Sequence, residues 1–116
     1  MALQVAVFDD VLAARREVFH IPGLDVEVFG HADDVLCVIE ANPAPSVIFM
    51  DYAMGWDHAT GVDAIRAARK AGYRGRIVAM SSDPAANAAM VEAGADEALP
   101  QKAHLRSYLV ALGKSG

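Results

Sequence analysis

Short apolar runs alternate with longer amphipathic segments along the 116 residues, and this alternation restricts the possible folds more than any other feature. The apolar runs have the length of strands, and the segments between them repeat their apolar residues at helical spacing. The pattern is therefore strand then helix, five times over, as in a parallel sheet covered by helices on both faces. The predicted strands are 3–8, 24–29, 46–51, 76–81 and 96–99, and the predicted helices are 11–20, 32–41, 61–71, 84–93 and 103–113.

Punctuation residues support these boundaries. Pro22-Gly23 cannot continue the first helix, and Asn42-Pro43 ends the second. Asp83 is a predicted N-cap for the fourth helix, with Pro84 at its first position and Gly94 at its end. Right-handed crossovers and short connections then predict an α/β fold, a doubly wound five-stranded parallel sheet of order 2-1-3-4-5, with residues 1–116 as one domain.

Composition excludes several classes of protein. No apolar stretch approaches the roughly 18 residues of a membrane span, and the chain starts with a strand-like run rather than a basic leader. The net charge is −5 with scattered basic residues, which argues against a nucleic-acid interface. The single Cys37 suits a reducing cytoplasm and is predicted to lie in the core or at its boundary.

Carboxylates follow two of the predicted strands at the point where each strand stops. Asp9 and Asp10 follow the first strand, and Asp51 closes the third. Strands 1 and 3 flank the switch point of this strand order, so the three acids should face one crevice. Such acids repel one another by about 4 kcal/mol per pair at about 4 Å. The cluster therefore predicts a divalent cation site, and with it phosphate chemistry.

Four sequence pieces in this order resemble the receiver domain of two-component response regulators, the CheY-like family, over the whole chain. Two further polar residues complete the set, Ser81 at the end of the fourth strand and Lys102 just beyond the fifth. The pieces are Val7-Phe8-Asp9-Asp10, Ile48-Phe49-Met50-Asp51-Tyr52-Ala53-Met54, Ile77-Val78-Ala79-Met80-Ser81-Ser82, and Ala93-Gly94-Ala95-Asp96-Glu97 leading to Lys102.

The resemblance implies a role for each residue of the set. Asp51 would accept a phosphoryl group, Lys102 would pair with the phosphoryl oxygens, and the Ser81 hydroxyl would move toward them. Mg²⁺ would be the cofactor, because it prefers oxygen ligands in an octahedral arrangement. The implied ligands are Asp9, Asp10, a carboxylate oxygen of Asp51 and the backbone carbonyl of Ala53.

The resemblance also implies a signalling function in a phosphorelay. The chain would be a stand-alone cytoplasmic response regulator, phosphorylated by a sensor histidine kinase or a phosphotransfer protein. Its own chemistry would be limited to phosphoryl transfer and autodephosphorylation, so it would not be an enzyme in the ordinary sense. Phosphorylation would change the face formed by the fourth helix, fifth strand and fifth helix, to which a downstream protein binds, with no nucleic acid or membrane involved.

The sequence departs from the family pattern in three places. The loop between Asp51 and Gly61 is longer than usual. Gln101 stands where the family has its lysine, so either a bulge delivers Lys102 to the site or the lysine role is weakened. Ala98 replaces an aromatic switch residue, so a signal would have to leave the site by another route.

Other interpretations of these residues remain open. Asp9 and Ser81 could be capping residues, and Lys102 a surface charge. A receiver-like interaction module that works without phosphorylation is the alternative function. An aspartate-nucleophile phosphatase fits poorly, because Val11 stands where it needs a general acid. Trp56 is predicted to pack on the third helix or contact a partner, and the histidines, which lack metal-ligand spacing, to be exposed: His20, His31, His58 and His104.

Overall fold

Five parallel strands form one sheet in the computed structural model, which describes residues 2–55 and 58–115. The strands pair in the order β2-β1-β3-β4-β5, which confirms the predicted topology. The strands are β1 (Leu3–Phe8), β2 (Leu24–Phe29), β3 (Val47–Met50), β4 (Arg76–Ala79) and β5 (Glu97–Ala98). The helices are α1 (Asp10–Ala14), α2 (Val35–Glu40), α3 (Gly61–Lys70), α4 (Pro84–Ala93) and α5 (Leu105–Ser115).

Side chains that alternate along the central strands divide the core into two layers. All four residues of β3 are buried, as expected for a strand covered on both faces. One layer packs under α2, α3 and α4 and includes Phe8, Ile48, Ile65 and Met90. The other packs under α5 and includes Val7, Phe49, Val78 and Leu109.

The first helix is much shorter than predicted, since α1 ends at Ala14 rather than at residue 20. Arg16 has a φ of 54°, which turns the chain out of the helix. Phe19 and Ile21 then lie in the core, 8% and 6% exposed. Their spacing of two residues is that of an extended chain, and their burial in the layer under α5 outweighs the helical propensity of the segment.

Other boundaries differ less. Turns of 3₁₀ helix, Ala32–Asp34 and Lys102–His104, lead into α2 and α5. Gly113 lies within α5 rather than ending it. A Cβ at this position would overlap the carbonyl oxygen of Pro22, which explains the glycine. Cys37 is exposed, so its predicted core or boundary position was wrong; it points away from the buried side of a short helix. Within the described residues, no helix combines the length and apolar character needed to cross a membrane.

Candidate functional site

The carboxyl ends of β1 and β3 bring the predicted acids together. Phe8 and Met50 are partners in the register of these strands, so the residues that follow them are neighbours at the sheet edge. The Asp51 amide donates to the Phe8 carbonyl over 3.0 Å. Asp9, Asp10 and Asp51 each offer an oxygen within 4.8 Å of the others. The three acids that the topology predicted to be neighbours therefore lie together.

The two carboxylate oxygens of Asp9 make different contacts. Its Oδ1 accepts from the backbone amides of Val11 at 2.9 Å and Leu12 at 3.0 Å, so Asp9 caps α1. Its Oδ2 points to the acid cluster and is buried without a directed hydrogen bond. The capping interpretation thus accounts for one oxygen, and the other is left for the site. Asp9 is fully buried, whereas Asp10 is partly exposed.

Lys102 neutralises part of the cluster. Its Nζ donates to Asp51 Oδ2 over 2.6 Å and forms an ion pair with Asp9 Oδ2 at 2.9 Å. The Leu99 amide, bonded to the Ala79 carbonyl, anchors the preceding segment, and the chain then enters the 3₁₀ turn. The structure therefore places Lys102, and not the exposed Gln101, against the acids.

Charge in the site is not balanced. Burial raises the pKa of Asp51, which is 6% exposed, and the opposing hydrogen bond from Lys102 does not cancel that effect. Burial favours neutral Lys102, but its hydrogen bond to Asp51 and its ion pair with Asp9 outweigh burial and raise its pKa. The site thus contains the ammonium group of Lys102 and three carboxyl groups. This excess of acidic groups favours the binding of an additional cation among them.

Gly61 sets the path of the loop beside Asp51. Its amide donates to the Tyr52 carbonyl over 2.7 Å, just before α3 begins with a capping box between Thr60 and Asp63. A Cβ on Gly61 would overlap the Asp51 carbonyl oxygen and come within 2.7 Å of Met90 Sδ. The sequence identified Gly61 only as a helix start, because nothing local signals this close approach.

Ser81 is buried at the end of β4 and is held by the loop in this structure. Its Oγ accepts from the Asp83 amide over 3.1 Å, which is the capping interaction considered above. Its backbone is bonded to Asn87, a buried residue of α4 that sequence reasoning missed. A lone asparagine in an alanine-rich helix could have indicated a buried polar contact.

A second set of contacts joins two loops near this edge. The rings of His31 and His58 stack with centroids 3.9 Å apart, and His58 Nδ1 lies 3.1 Å from Asp33 Oδ2. Asp33 Oδ1 accepts from the Ala59 amide. Two hydrogen bonds lower the pKa of Asp33, and the one from His58 contributes more than the one from the Ala59 amide. His31 is exposed as predicted, as are His20 and His104, but His58 is partly covered.

Most of the remaining predicted residues lie in the described part of the chain. Ala53 is exposed in the loop after Asp51, and Ala98 is half-buried in β5. Tyr52 is 36% exposed beside Asp51. Trp56, predicted to pack on the third helix or contact a partner, lies outside the described residues.

Solved structures share this architecture over nearly the whole chain. No protein-family model and no curated protein matches the sequence. The BeF₃-activated DrrB receiver domain has a TM-score of 0.69 at 22% identity, with 99% of this chain and 97% of that chain covered. The receiver domain of the response regulator NarL from Mycobacterium tuberculosis has a TM-score of 0.63 at 20% identity, covering 99% and 98%. The receiver domain of NtrX from Brucella abortus has a TM-score of 0.69 at 18% identity, covering 96% and 95%.

These likenesses concern the fold. The chain has the receiver-domain fold over its whole length, with a cluster of acidic residues at the carboxyl edge of the sheet. The predicted resemblance is confirmed at that level.

Proposed function

We propose that the chain is a response regulator receiver in which Asp51 accepts a phosphoryl group from a phosphohistidine or a small phosphodonor. The observation that carries the proposal is the pairing of buried Asp51 with Lys102 inside the acid cluster. A carboxylate oxygen of Asp51 would attack phosphorus while the phosphorus–nitrogen bond of the donor breaks. The electron pair leaves with the imidazole, and the product is an acyl phosphate.

The acid cluster fits Mg²⁺. Asp9 Oδ2 is a buried oxygen without a hydrogen-bond donor, and the surrounding ligands are the hard oxygens that Mg²⁺ prefers. Asp9, Asp10, a carboxylate oxygen of Asp51 and the backbone carbonyl of Ala53 would hold the ion. When bound, it would neutralise the negative charge of the phosphoryl oxygens.

Protein groups orient the acceptor before any donor arrives. Asp51 Oδ1 accepts from the Tyr52 amide over 2.8 Å, and Oδ2 accepts from Lys102, so the carboxylate is held at both oxygens. A fixed acceptor saves the entropy of orienting it in the transition state. Lys102 Nζ is close enough to transfer its contact from the carboxylate to a phosphoryl oxygen. Ser81 would supply a hydroxyl donor after leaving its contact with Asp83.

The proposed partners follow from this chemistry. A sensor histidine kinase or phosphotransfer protein would present the phosphohistidine at the open loop after Asp51. The exposed apolar residues Val91 of α4 and Val110 of α5, 43% and 38% exposed, lie on the helices proposed to contact a downstream protein. The chain would carry out its own phosphoryl transfer and autodephosphorylation and no other catalysis.

Incubation with Mg²⁺ and acetyl phosphate or phosphoramidate, followed by intact mass measurement, tests the proposal. We expect a mass increase of one phosphoryl group that hydroxylamine removes and that Asp51→Asn abolishes. Asp34→Asn, which neutralises an exposed acid of the 3₁₀ turn before α2, should leave the adduct unchanged. If the wild type forms no adduct with these donors or with histidine kinases, or if Asp51→Asn still forms one, the proposal is wrong. The phosphorylation-independent interaction module would then be favoured.

A further inference from the structure

Asn87 is a buried amide on the inner side of α4, 7% exposed. An amide that is buried without hydrogen-bond partners destabilises the folded state, so the partners of Asn87 explain how it is tolerated. The hydrogen bonds of its side chain all go to backbone groups that follow β4 and β5. Asn87 Oδ1 accepts from the Ser81 amide over 2.8 Å, and Nδ2 donates to the carbonyls of Ser81 at 2.8 Å and Leu99 at 3.1 Å.

These contacts connect α4 to both sides of the acceptor site. Ser81 follows β4 next to Met80, whose amide is bonded to the Met50 carbonyl, the residue before Asp51. Leu99 begins the segment that ends in Lys102, the residue paired with Asp51. One side chain of α4 therefore holds the backbone at Ser81 and at the start of the Lys102 segment.

Phosphorylation of Asp51 has to alter this arrangement. Lys102 Nζ lies 2.6 Å from Asp51 Oδ2, so a phosphoryl group on Asp51 requires the ammonium group to take up a new contact. The segment between Leu99 and Lys102 is short, so a shift of Lys102 would also move the Leu99 carbonyl. That movement would change the hydrogen bond that this carbonyl accepts from Asn87. If the Ser81 hydroxyl contacted the phosphoryl group, Ser81 would move. The two hydrogen bonds between the Ser81 backbone and Asn87 would then change as well.

We propose that Asn87 is a positioning residue that couples the phosphorylation state of Asp51 to the position of α4. The inference rests on the proposed function. Val91 lies on α4 one turn after Asn87 and is exposed, so a displacement of α4 would change a surface available to a partner. The coupling passes through backbone groups at Ser81 and Leu99, and it therefore depends on the amide of residue 87 rather than on its volume.

Amide NMR shifts in the presence of Mg²⁺ and beryllofluoride test this coupling. In the wild type we expect shifts at Tyr52, which reports the site, and at Ala88–Ala93, which report α4. In Asn87→Leu, of similar volume but without hydrogen bonds, the Tyr52 shift should persist while the α4 shifts fall about fivefold. Asn87→Asp keeps the acceptor for the Ser81 amide and loses both donors, so it should give an intermediate result and serves if the leucine variant does not fold.

Met90→Leu is the matched control, because it changes a buried apolar residue of the same helix without touching these hydrogen bonds. It should keep the α4 response even if it lowers stability. Full α4 shifts in folded Asn87→Leu, or in Asn87→Asp if the leucine variant does not fold, would refute the coupling while leaving the acceptor function intact. A wild type whose Tyr52 does not respond to either Mg²⁺ with beryllofluoride or a phosphodonor would instead refute the proposed function.

Discussion

The Nζ atom of Lys102 lies 2.6 Å from Oδ2 of Asp51, so the ammonium group already contacts an oxygen that Mg²⁺ or phosphorus would need. The same nitrogen lies 2.9 Å from Asp9 Oδ2. Lys102 is therefore a resident counter-ion of the acid cluster as well as a candidate ligand for a phosphoryl group. Its two functions have opposite consequences for cation binding and for phosphoryl transfer.

Replacing Lys102 by alanine is expected to tighten Mg²⁺ binding and to slow phosphorylation. In Lys102→Ala, Mg²⁺ no longer competes with the ammonium group for the carboxylates of Asp9 and Asp51. The affinity of the site for Mg²⁺ should therefore rise about fivefold to tenfold. Phosphorylation by acetyl phosphate should slow at least about tenfold, because a charge that stabilises the transition state is lost. Calorimetric titration with Mg²⁺ and the rate of adduct formation measure the two effects. Lys70→Ala, an exposed lysine of α3, is the control, and weaker Mg²⁺ binding by Lys102→Ala would contradict the competition.

Neutralising Asp51 as Asp51→Asn is expected to raise the free energy of unfolding near neutral pH. Burial raises the pKa of this carboxyl, so the folded state favours its protonated form, and the ionised form costs stability above the folded pKa. The cost falls as the pH drops through the folded pKa and vanishes below the unfolded value of about 3.9.

Urea unfolding of wild type and Asp51→Asn over this pH range measures the difference. The gain should be largest at neutral pH and should shrink on acidification. Asp25→Asn, at an exposed position of β2, controls for the change in net charge. An Asp51→Asn protein that is less stable than wild type at neutral pH would show that the pair with Lys102 outweighs burial.

Arg69 is expected to be the most important charged residue for stability, because its guanidinium ties the ends of α3, α4 and β5 together. Arg69→Ala should lower the free energy of unfolding by about 2–4 kcal/mol, since it removes several partly buried bonds of a charged donor. Its acceptors, all at 2.9–3.0 Å, are the carbonyls of Tyr73, Gly75 and Gly94 and the carboxylate of Asp96.

Urea unfolding of Arg69→Ala and of Arg66→Ala gives this comparison. Arg66 is exposed on the same helix one turn earlier, so its loss should change stability by less than about 0.5 kcal/mol. If both substitutions lowered the free energy of unfolding equally, the hydrogen bonds of Arg69 would contribute no more to stability than those of an exposed surface arginine.

Gly61→Ala is expected to damage the acceptor site directly. The new methyl group would overlap the Asp51 carbonyl, so the loop must move and Asp51 must lose its orientation. We expect a phosphorylation rate at least about tenfold lower, together with a loss of stability of about 1–3 kcal/mol. Adduct formation and urea unfolding measure the two effects.

Gly113→Ala is the matched control for Gly61→Ala. Its methyl group would also overlap a backbone carbonyl, that of Pro22, but in α5 at the opposite end of the molecule from the acids. This variant should lose stability and keep its rate of phosphorylation per folded molecule. Equal loss of rate in both variants would indicate that strain in general, rather than displacement of Asp51, slows the reaction.

Local sequence patterns predicted the sheet order and the position of the acids. Strand and helix periodicities are read within short windows, and the handedness of crossovers then limits the strand order. Because residues that follow parallel strands share one edge of a sheet, Asp9 and Asp51 could be placed together without coordinates. The phosphoryl chemistry assigned to them stays a prediction.

The tertiary structure decided the features that depend on distant parts of the chain. The early end of α1 follows from the burial of Phe19 and Ile21 under α5, and the contact between Lys102 and Asp51 joins residues 51 positions apart. The bonds of Asn87, the stacking of His31 on His58 and the need for glycine at position 61 are of the same kind. Such contacts form between residues that are far apart in sequence and become neighbours only when the helices and strands pack. A short stretch of sequence therefore cannot predict them.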